Sequence, residues 1–193
     1  KPGEYVRTYN RSDFSLKPPH DTLLDNVVKV GMEVIGVGKI WDIFAGQGIT
    51  KNLHTEGNVD GVNKTLEVME KLEKGLVFTN LVDYDMLYGH RNDSVGYARA
   101  LEEFDRRLPE IMSKLKEDDV LVITADHGCD PTTKSTDHSR EYVPVLVYGD
   151  KIEPAIDLGI LSSFADIGQT VADFLQCGKL RNGNSFKNII MKD

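Results

Sequence analysis

The stretch that decides the fold is 76-LVFTNLVDYDMLYGH-90, in which an apolar run passes directly into a polar cluster. Residues 76–82 are short and rich in β-branched and aromatic side chains, which is typical of a buried strand. A second apolar run, 119-DVLVITADHG-128, also ends in an aspartate and a histidine. Ligands bind at the carboxyl ends of strands in open α/β sheets, so these two runs predict a functional site at one sheet edge.

Strand-like and helix-like patterns alternate along the rest of the chain. Further strands are predicted at 33–38 and 143–148, and helices at 21–30, 61–74, 94–116 and 164–175. This alternation predicts an α/β fold with a mostly parallel sheet and helices on both of its faces.

Two finer expectations concern the ends of this pattern. Pro144 predicts that the last strand either lies at a sheet edge or begins at that point, because proline cannot donate to a strand ladder. The long helix at 94–116 is expected to bury one apolar stripe, made of Leu101, Phe104, Leu108, Met112 and Leu115.

Composition narrows the class of protein. The chain has 193 residues, 40% hydrophobic and 28% charged, which is the balance of a globular domain. No apolar run approaches the roughly 20 residues of a membrane span, so no membrane partner is expected. The formal net charge of −8 argues against nucleic acid as a partner, because binding phosphate backbones needs a basic surface. Two distant cysteines, Cys129 and Cys177, predict reduced thiols and a cytoplasmic location.

The N-terminal segment has a different character from the rest. Residues 1–20 are polar and end in Lys17-Pro18-Pro19-His20, which is typical of a linker. The chain opens on Lys1 rather than on methionine, and its first four residues resemble a loop. We therefore expect the chain to be a piece of a longer protein.

Three of the five histidines, His90, His127 and His138, lie in loops after predicted strands with an aspartate nearby. Aspartate and imidazole together suit a divalent cation such as Mn²⁺ or Zn²⁺. A lone Asp-His pair after a strand is more often a turn with a capping contact. Two such clusters on strand ends, with a third histidine close in sequence, place the metal site on an equal footing with the interpretation as turns and capping contacts. Spacing does not separate Asp83 from Asp85 as a ligand.

Longer stretches resemble a known enzyme family. NLVDYDMLYGHR at 80–91 and TADHG at 124–128 resemble the metal motifs of the alkaline phosphatase superfamily. DPTTKSTDHSREYVP at 130–144 is similar to phosphopentomutases in particular, as are RTYNRSD at 7–13 and IGVGKI at 35–40. The matches extend over nearly the whole chain, and they correspond to the C-terminal half of such an enzyme.

The resemblance implies two divalent metal ions, with Mn²⁺ the first choice. Asp85, His90 and His138 would hold one ion, and Asp126 and His127 would hold the other. In this family an aspartate and a phosphorylated threonine, the nucleophile, complete the second site from the N-terminal half. No catalytic nucleophile is therefore expected within this chain.

The resemblance also implies a partial alkaline phosphatase-like core and a domain boundary. Residues 1–18 would be the end of a mobile cap domain with its linker, and residues 19–193 the C-terminal part of the metal-binding catalytic core. Lys39, Arg7 and Arg11 would contact the sugar phosphate, since each matches a substrate-facing position.

The implied reaction is the interconversion of ribose 1-phosphate and ribose 5-phosphate, and of the deoxyribose analogues, in cytoplasmic nucleotide metabolism. The implied partners are a pentose phosphate and the missing N-terminal half, without which the chain is expected to be inactive. One alternative is a cofactor-independent phosphoglycerate mutase, whose first motif is usually one residue shorter than the spacing from Asp85 to His90. Another is that the isolated half is a non-catalytic metal-binding domain.

Overall fold

A three-stranded parallel sheet organises the first part of the fold. The computed structural model describes residue 3 and residues 13–192. The sheet consists of β1 (Glu33–Val37), β2 (Lys51–Leu53) and β3 (Gly75–Thr79), in the order β2-β1-β3. Both neighbours of β1 run parallel to it. The central strand is buried from Val34 to Val37, which agrees with the apolar sequence of these four residues, while Glu33 at its start is exposed.

The helices of the described residues surround these strands. They are α1 (Leu23–Lys29), α2 (Ile40–Ile43), α3 (Asn58–Lys71), α4 (Ser94–Ser113), α5 (Ala165–Leu175) and α6 (Lys187–Ile190). Within the described ranges, we find no helix with the length and apolar character that crossing a bilayer requires.

Successive residues of β1 point to opposite faces of the sheet, and each face is covered by helices. Val34 packs with Leu24 of α1 and Ala172 of α5 on one face. Ile35 and Val37 pack with Val68 of α3 on the other. This arrangement confirms the predicted α/β class, with a parallel sheet between two helical layers.

The remaining strands form a separate antiparallel pair. β4 (Leu121–Thr124) and β5 (Val145–Tyr148) are joined to each other, and β5 begins directly after Pro144, as predicted for a strand start. We expected one sheet, whereas β3 and β4 lie in different sheets among the described strands. The two sheets are linked by side chains: Leu81, which follows β3, and Leu121 of β4 contact one cluster of Val62, Leu66 and Ile111.

Two local features differ from expectation. Strand β2 was not predicted, since it has three residues and only its last, Leu53, is partly buried. The apolar stripe of α4 was wrong at Leu101, which is 50% exposed, while Ala100 and Ile111 are buried. The other four predicted residues of the stripe, Phe104, Leu108, Met112 and Leu115, are partly buried, so the difference is confined to Leu101.

The N-terminus of α1 is fixed by a capping box. The Thr22 hydroxyl accepts from Leu24 N at 3.2 Å, and Asp25 Oδ2 accepts from Thr22 N at 2.6 Å. Gln47 Nε2 donates to the same oxygen at 3.1 Å. Burial tends to raise the pKa of Asp25, but these hydrogen bonds outweigh it and hold the pKa below its ordinary 3.8.

The capping box gives a testable pH dependence. At pH 7 we expect Asp25→Asn to lower the free energy of unfolding by about 1 kcal/mol, the usual effect of losing a cap. Because the folded pKa is depressed, this contribution is present above the unfolded pKa of about 4 and is lost as the pH falls through the folded value. Urea unfolding of both proteins at pH 7 and pH 3 measures the difference.

A suitable control is Asp21→Asn, which removes an exposed ion pair with Lys29 at the same helix. We expect it to change stability by only about 0.3 kcal/mol, as exposed pairs do. An equal loss from both variants would contradict the role given to the cap.

Candidate metal centre

An unusual backbone segment follows β3 and carries the first set of site residues. Residues Tyr84–Tyr88 form a π-helical turn, and Gly89–Arg91 continue it as a 3₁₀ turn. Short π-helical segments occur frequently at functional sites. This one brings Asp85 and His90 together, with 3.2 Å between Asp85 Oδ2 and His90 Nε2.

The structure gives Asp83 and Asp85 different surroundings, although their spacing in the sequence left them equivalent. Asp83 Oδ2 accepts from Asn58 N at 2.7 Å, and Asp83 N donates to Asn58 Oδ1 at 2.9 Å. This reciprocal pair ties the end of β3 to the first residue of α3. One carboxylate oxygen of Asp83 is thus engaged in this pair, while its Oδ1 is buried without a hydrogen bond from a described residue. Asp85 is the carboxylate that faces the histidines.

Asp85 lies at the centre of the cluster. Its Oδ1 is 3.2 Å from His138 Nε2, and potential ligand atoms of Asp85, His127 and His138 all lie within 4.8 Å of one another. The same Oδ1 is buried and accepts no hydrogen bond from any described residue. A buried carboxylate oxygen without a donor is costly unless a cation compensates it, so the residues present fit a divalent metal.

Backbone carbonyls orient two of the histidine rings. His90 Nδ1 lies 2.6 Å from the Thr136 carbonyl oxygen, and His127 Nδ1 lies 3.0 Å from that of Gly128. A carbonyl can only accept, so each Nδ1 carries the proton and donates. In the neutral ring this leaves Nε2 with its lone pair, which is the arrangement found in metal-binding histidines.

The loop that carries His138 is held against His127. The two rings stack with centroids 3.7 Å apart and planes 18° apart. One residue further along each segment, Ser139 N donates to the Gly128 carbonyl oxygen at 3.1 Å. A Cβ on Gly128 would lie 2.5 Å from Ser139 O, so this approach requires glycine.

The two predicted ligands of the second site, Asp126 and His127, lie in different parts of the cluster. Asp126 Oδ1 is 3.8 Å from His127 Nε2, and the Asp126 side chain is 63% exposed. His127 therefore lies with Asp85 and His138, whereas Asp126 lies at the rim of the cluster. Neighbouring metal sites can be as close as about 3.5–4 Å, so proximity of the two ligand sets is compatible with the predicted pair of ions.

Two titratable side chains near Asp85, Cys129 and Tyr97, have pKa values that are shifted partly by neighbouring carboxylates. Burial, with Asp85 and Asp130, raises the pKa of the Cys129 thiol. Burial, with Cys129, Asp85 and Asp126, raises that of Tyr97. Both groups therefore stay neutral near pH 7, and neither compensates the Asp85 carboxylate. The negative charge of these carboxylates favours binding of a metal ion.

Tyr84 anchors the π-helical turn to α4. Its hydroxyl donates to the Ala100 carbonyl at 3.4 Å, and its ring lies 5.6 Å from that of Tyr97. Burial, with smaller contributions from Tyr97, Asp83 and Glu103, raises the pKa of Tyr84 to about 12. The neutral phenol thus keeps its proton for this contact.

Of the three predicted substrate-contacting residues, Lys39 lies within the described part of the chain. Lys39 directly follows Gly38 at the carboxyl end of β1, on the same sheet edge as the segment after β3. Its Nζ lies 2.7 Å from Asp13 Oδ2. Arg7 and Arg11, which the sequence also indicated, lie outside the described residues.

The sequence matches known proteins over most of its length. A family model described as the Metalloenzyme superfamily matches residues 10–179. Among curated relatives, the Phosphopentomutase of Clostridium kluyveri is 57% identical over 98% of this chain and 49% of its own length. The Phosphopentomutases of Desulfitobacterium hafniense and Thermotoga petrophila are 60% and 62% identical, over 95% and 96% of this chain and 47% and 48% of their own lengths. The chain thus spans about half the length of the curated relatives it matches.

A solved structure supports the fold independently. The PH0037 protein from Pyrococcus horikoshii superimposes with a TM-score of 0.59, covering 81% of this chain and 53% of that chain. At 17% identity this likeness shows the fold alone. The family match extends over residues 10–179, so it includes both the segment after β3 and the loop with His127 and His138. The chain belongs to the Metalloenzyme superfamily.

Proposed function

We propose that the chain is the metal-binding part of a phosphopentomutase, which interconverts ribose 1-phosphate and ribose 5-phosphate and the deoxyribose analogues. The observation that carries this proposal is the convergence of three histidines on the partly buried carboxylate of Asp85. Relatives at 57–62% identity bear the name Phosphopentomutase, which supports the substrate class. Cytoplasmic nucleotide metabolism is the proposed setting.

The proposed cofactors are two divalent ions. Aspartate and imidazole suit Mn²⁺ or Zn²⁺, and the resemblance to phosphopentomutases makes Mn²⁺ the first choice. Asp85, His90 and His138 would hold one ion, and Asp126 and His127 would contribute to the other. When bound, such a pair neutralises charge on the transferring phosphoryl group and on its attacking and leaving oxygens. The chain's own contribution is to fix the ligand geometry, through the carbonyls that orient His90 and His127.

Substrate binding is proposed for Lys39, Arg7 and Arg11. The ion pair between Lys39 and Asp13 supports a role for Lys39, because a phosphate could replace the exposed carboxylate as its anionic partner. Asp13 lies within residues 1–18, the segment proposed to end a cap domain. Under this proposal, the segment and Lys39 face the same substrate.

The nucleophile is proposed to be a phosphorylated threonine in the remaining half of the protein. A phosphopentomutase must hold a phosphoryl group between its departure from one oxygen of the sugar and its arrival at another, which covalent catalysis allows. The ligand-bearing loops of this chain would then receive the phosphorylated residue at their open side, next to the exposed Asp126.

Substrate discrimination tests the proposal. We expect this chain, joined to the rest of its protein and supplied with Mn²⁺, to convert ribose 1-phosphate to ribose 5-phosphate. The same preparation should leave 3-phosphoglycerate unchanged, as followed by phosphorus NMR. Conversion of phosphoglycerate without conversion of the pentose phosphate would favour the rival mutase and contradict the proposal.

A further inference from the structure

We propose that Asn92 is a positioning residue of the metal centre, which fixes the loop of residues 130–139 so that His138 faces Asp85. This inference rests on the proposed metal-binding function. Asn92 is not a ligand candidate, since it follows the His90 segment and points its amide toward the loop.

The Asn92 side chain joins two segments that are about forty residues apart in sequence. Its Nδ2 donates to the carbonyl oxygens of Thr133 and, at 3.2 Å, of Ser135. An amide nitrogen has two protons, so both are used in these contacts. The neighbouring His90 Nδ1 donates to the next carbonyl, that of Thr136, at 2.6 Å. Three backbone carbonyls of one loop are thus bound from two nearby side chains.

These contacts act on the part of the loop that leads directly into His138. Beyond His138, the loop is fixed by the hydrogen bond from Ser139 N to the Gly128 carbonyl. The loop has little regular secondary structure of its own, and its residues are largely exposed. Without the contacts from Asn92, the hydrogen bond from His90 to Thr136 would remain as the described side-chain contact to the segment before His138, and its ring would then be both an anchor and a ligand.

The backbone at Asn92 is also unusual. Its φ of 53° and ψ of 30° are left-handed, at the end of the 3₁₀ turn Gly89–Arg91. Asparagine tolerates this conformation better than most residues do, and glycine adopts it without strain. Asn92→Gly therefore removes the side-chain contacts while leaving the turn intact, which separates the proposed role from a purely conformational one.

The orientation of the amide follows from its surroundings. Two carbonyl oxygens can be satisfied only by the nitrogen, so Oδ1 must point the other way, where it is buried without a described donor. Asn92→Asp preserves the shape of the side chain but places a carboxylate oxygen against two carbonyls. It cannot donate, and we expect it to release the loop as the glycine variant does.

The first test measures metal binding to the purified chain. We expect Asn92→Gly to weaken Mn²⁺ binding by roughly tenfold or more, as loss of supporting contacts does at metal sites. Electron paramagnetic resonance of free Mn²⁺ gives the affinity, and thermal unfolding shows whether the fold is retained. Unchanged affinity in a folded Asn92→Gly variant would overturn the inference.

The second test measures the loop directly and needs no metal. Amide hydrogen exchange at residues 133–137 should be faster in both Asn92→Gly and Asn92→Asp than in the wild type. As a matched control, Asn63→Asp changes an exposed asparagine that accepts from Arg107 at a distant surface, and should leave this exchange unchanged. Unchanged exchange in both Asn92 variants overturns the inference, whereas a wild-type chain that binds no Mn²⁺ overturns the proposed metal site.

Discussion

Replacing Asp85 by asparagine should abolish tight binding of a divalent metal to this protein. Both carboxylate oxygens of Asp85 face histidine nitrogens at 3.2 Å, so the change removes the one negative charge shared by His90 and His138. Loss of a supporting contact weakens a metal site by about 10–100-fold, and loss of this ligand should exceed that range. Mn²⁺ titration followed by electron paramagnetic resonance measures the change.

Asp83 provides the matched control for this experiment. It lies two residues away and bears the same charge, but its carboxylate accepts from Asn58 N. An amide oxygen can accept from the same donor, so Asp83→Asn should keep the fold and bind Mn²⁺ nearly as well as the wild type. A loss of binding in the Asp83 variant alone would show that the ligand in this segment has been misassigned.

The regular elements of the fold could be predicted because their signals are local. The helix α1 has a cap at Thr22 and apolar residues at helical spacing, and β1 is a short β-branched run between glycines. The relation between the two sheets was not predictable in this way. It depends on the contacts of Leu81 and Leu121 with side chains of α3 and α4, and no local pattern specifies such contacts.

The residue types of the candidate site were also visible in the sequence, but their arrangement was not. Post-strand position indicated the three histidines and left Asp83 and Asp85 as alternatives, because strand ends meet where ligands bind. The π-helical turn has no sequence signature that we recognised, although it sets the direction of Asp85. The close stacking of His127 on His138 arises from the Gly128 contact between distant segments.

The proposed role of Asn92 could not be predicted from the sequence at all. In the sequence it directly follows the motif at 80–91, but its residue type and spacing do not distinguish it from its polar neighbours Arg91 and Asp93. Its significance comes from carbonyl groups at residues 133 and 135, which only the folded chain brings near. Backbone acceptors belong to every residue type, so their partners cannot be identified from composition or spacing.

The proposed reaction requires a nucleophile and a further metal ligand that we do not assign to any described residue. Under the proposed function the ligand cluster would position a phosphoryl group, but a mutase also needs a nucleophile that holds this group during exchange. Described hydroxyl groups near the cluster belong to the loop that carries His138. Thr132 Oγ1 donates to Asp130 Oδ1, and the Ser139 hydroxyl, one residue after His138, is buried. Asp126, which is 63% exposed, lacks enough described ligands around it to complete a second site.

We therefore expect the purified chain with Mn²⁺ to form no ribose 5-phosphate from ribose 1-phosphate above the rate in buffer. Adding the remaining half of the protein as a separate polypeptide should produce turnover, because it would supply the threonine and the missing aspartate. In that mixture Asp126→Ala should remove most of the activity by weakening the second metal site. A coupled assay of ribose 5-phosphate measures all three preparations. Turnover by the chain alone that Asp126→Ala abolishes would contradict the proposal, because it would place the nucleophile within these residues.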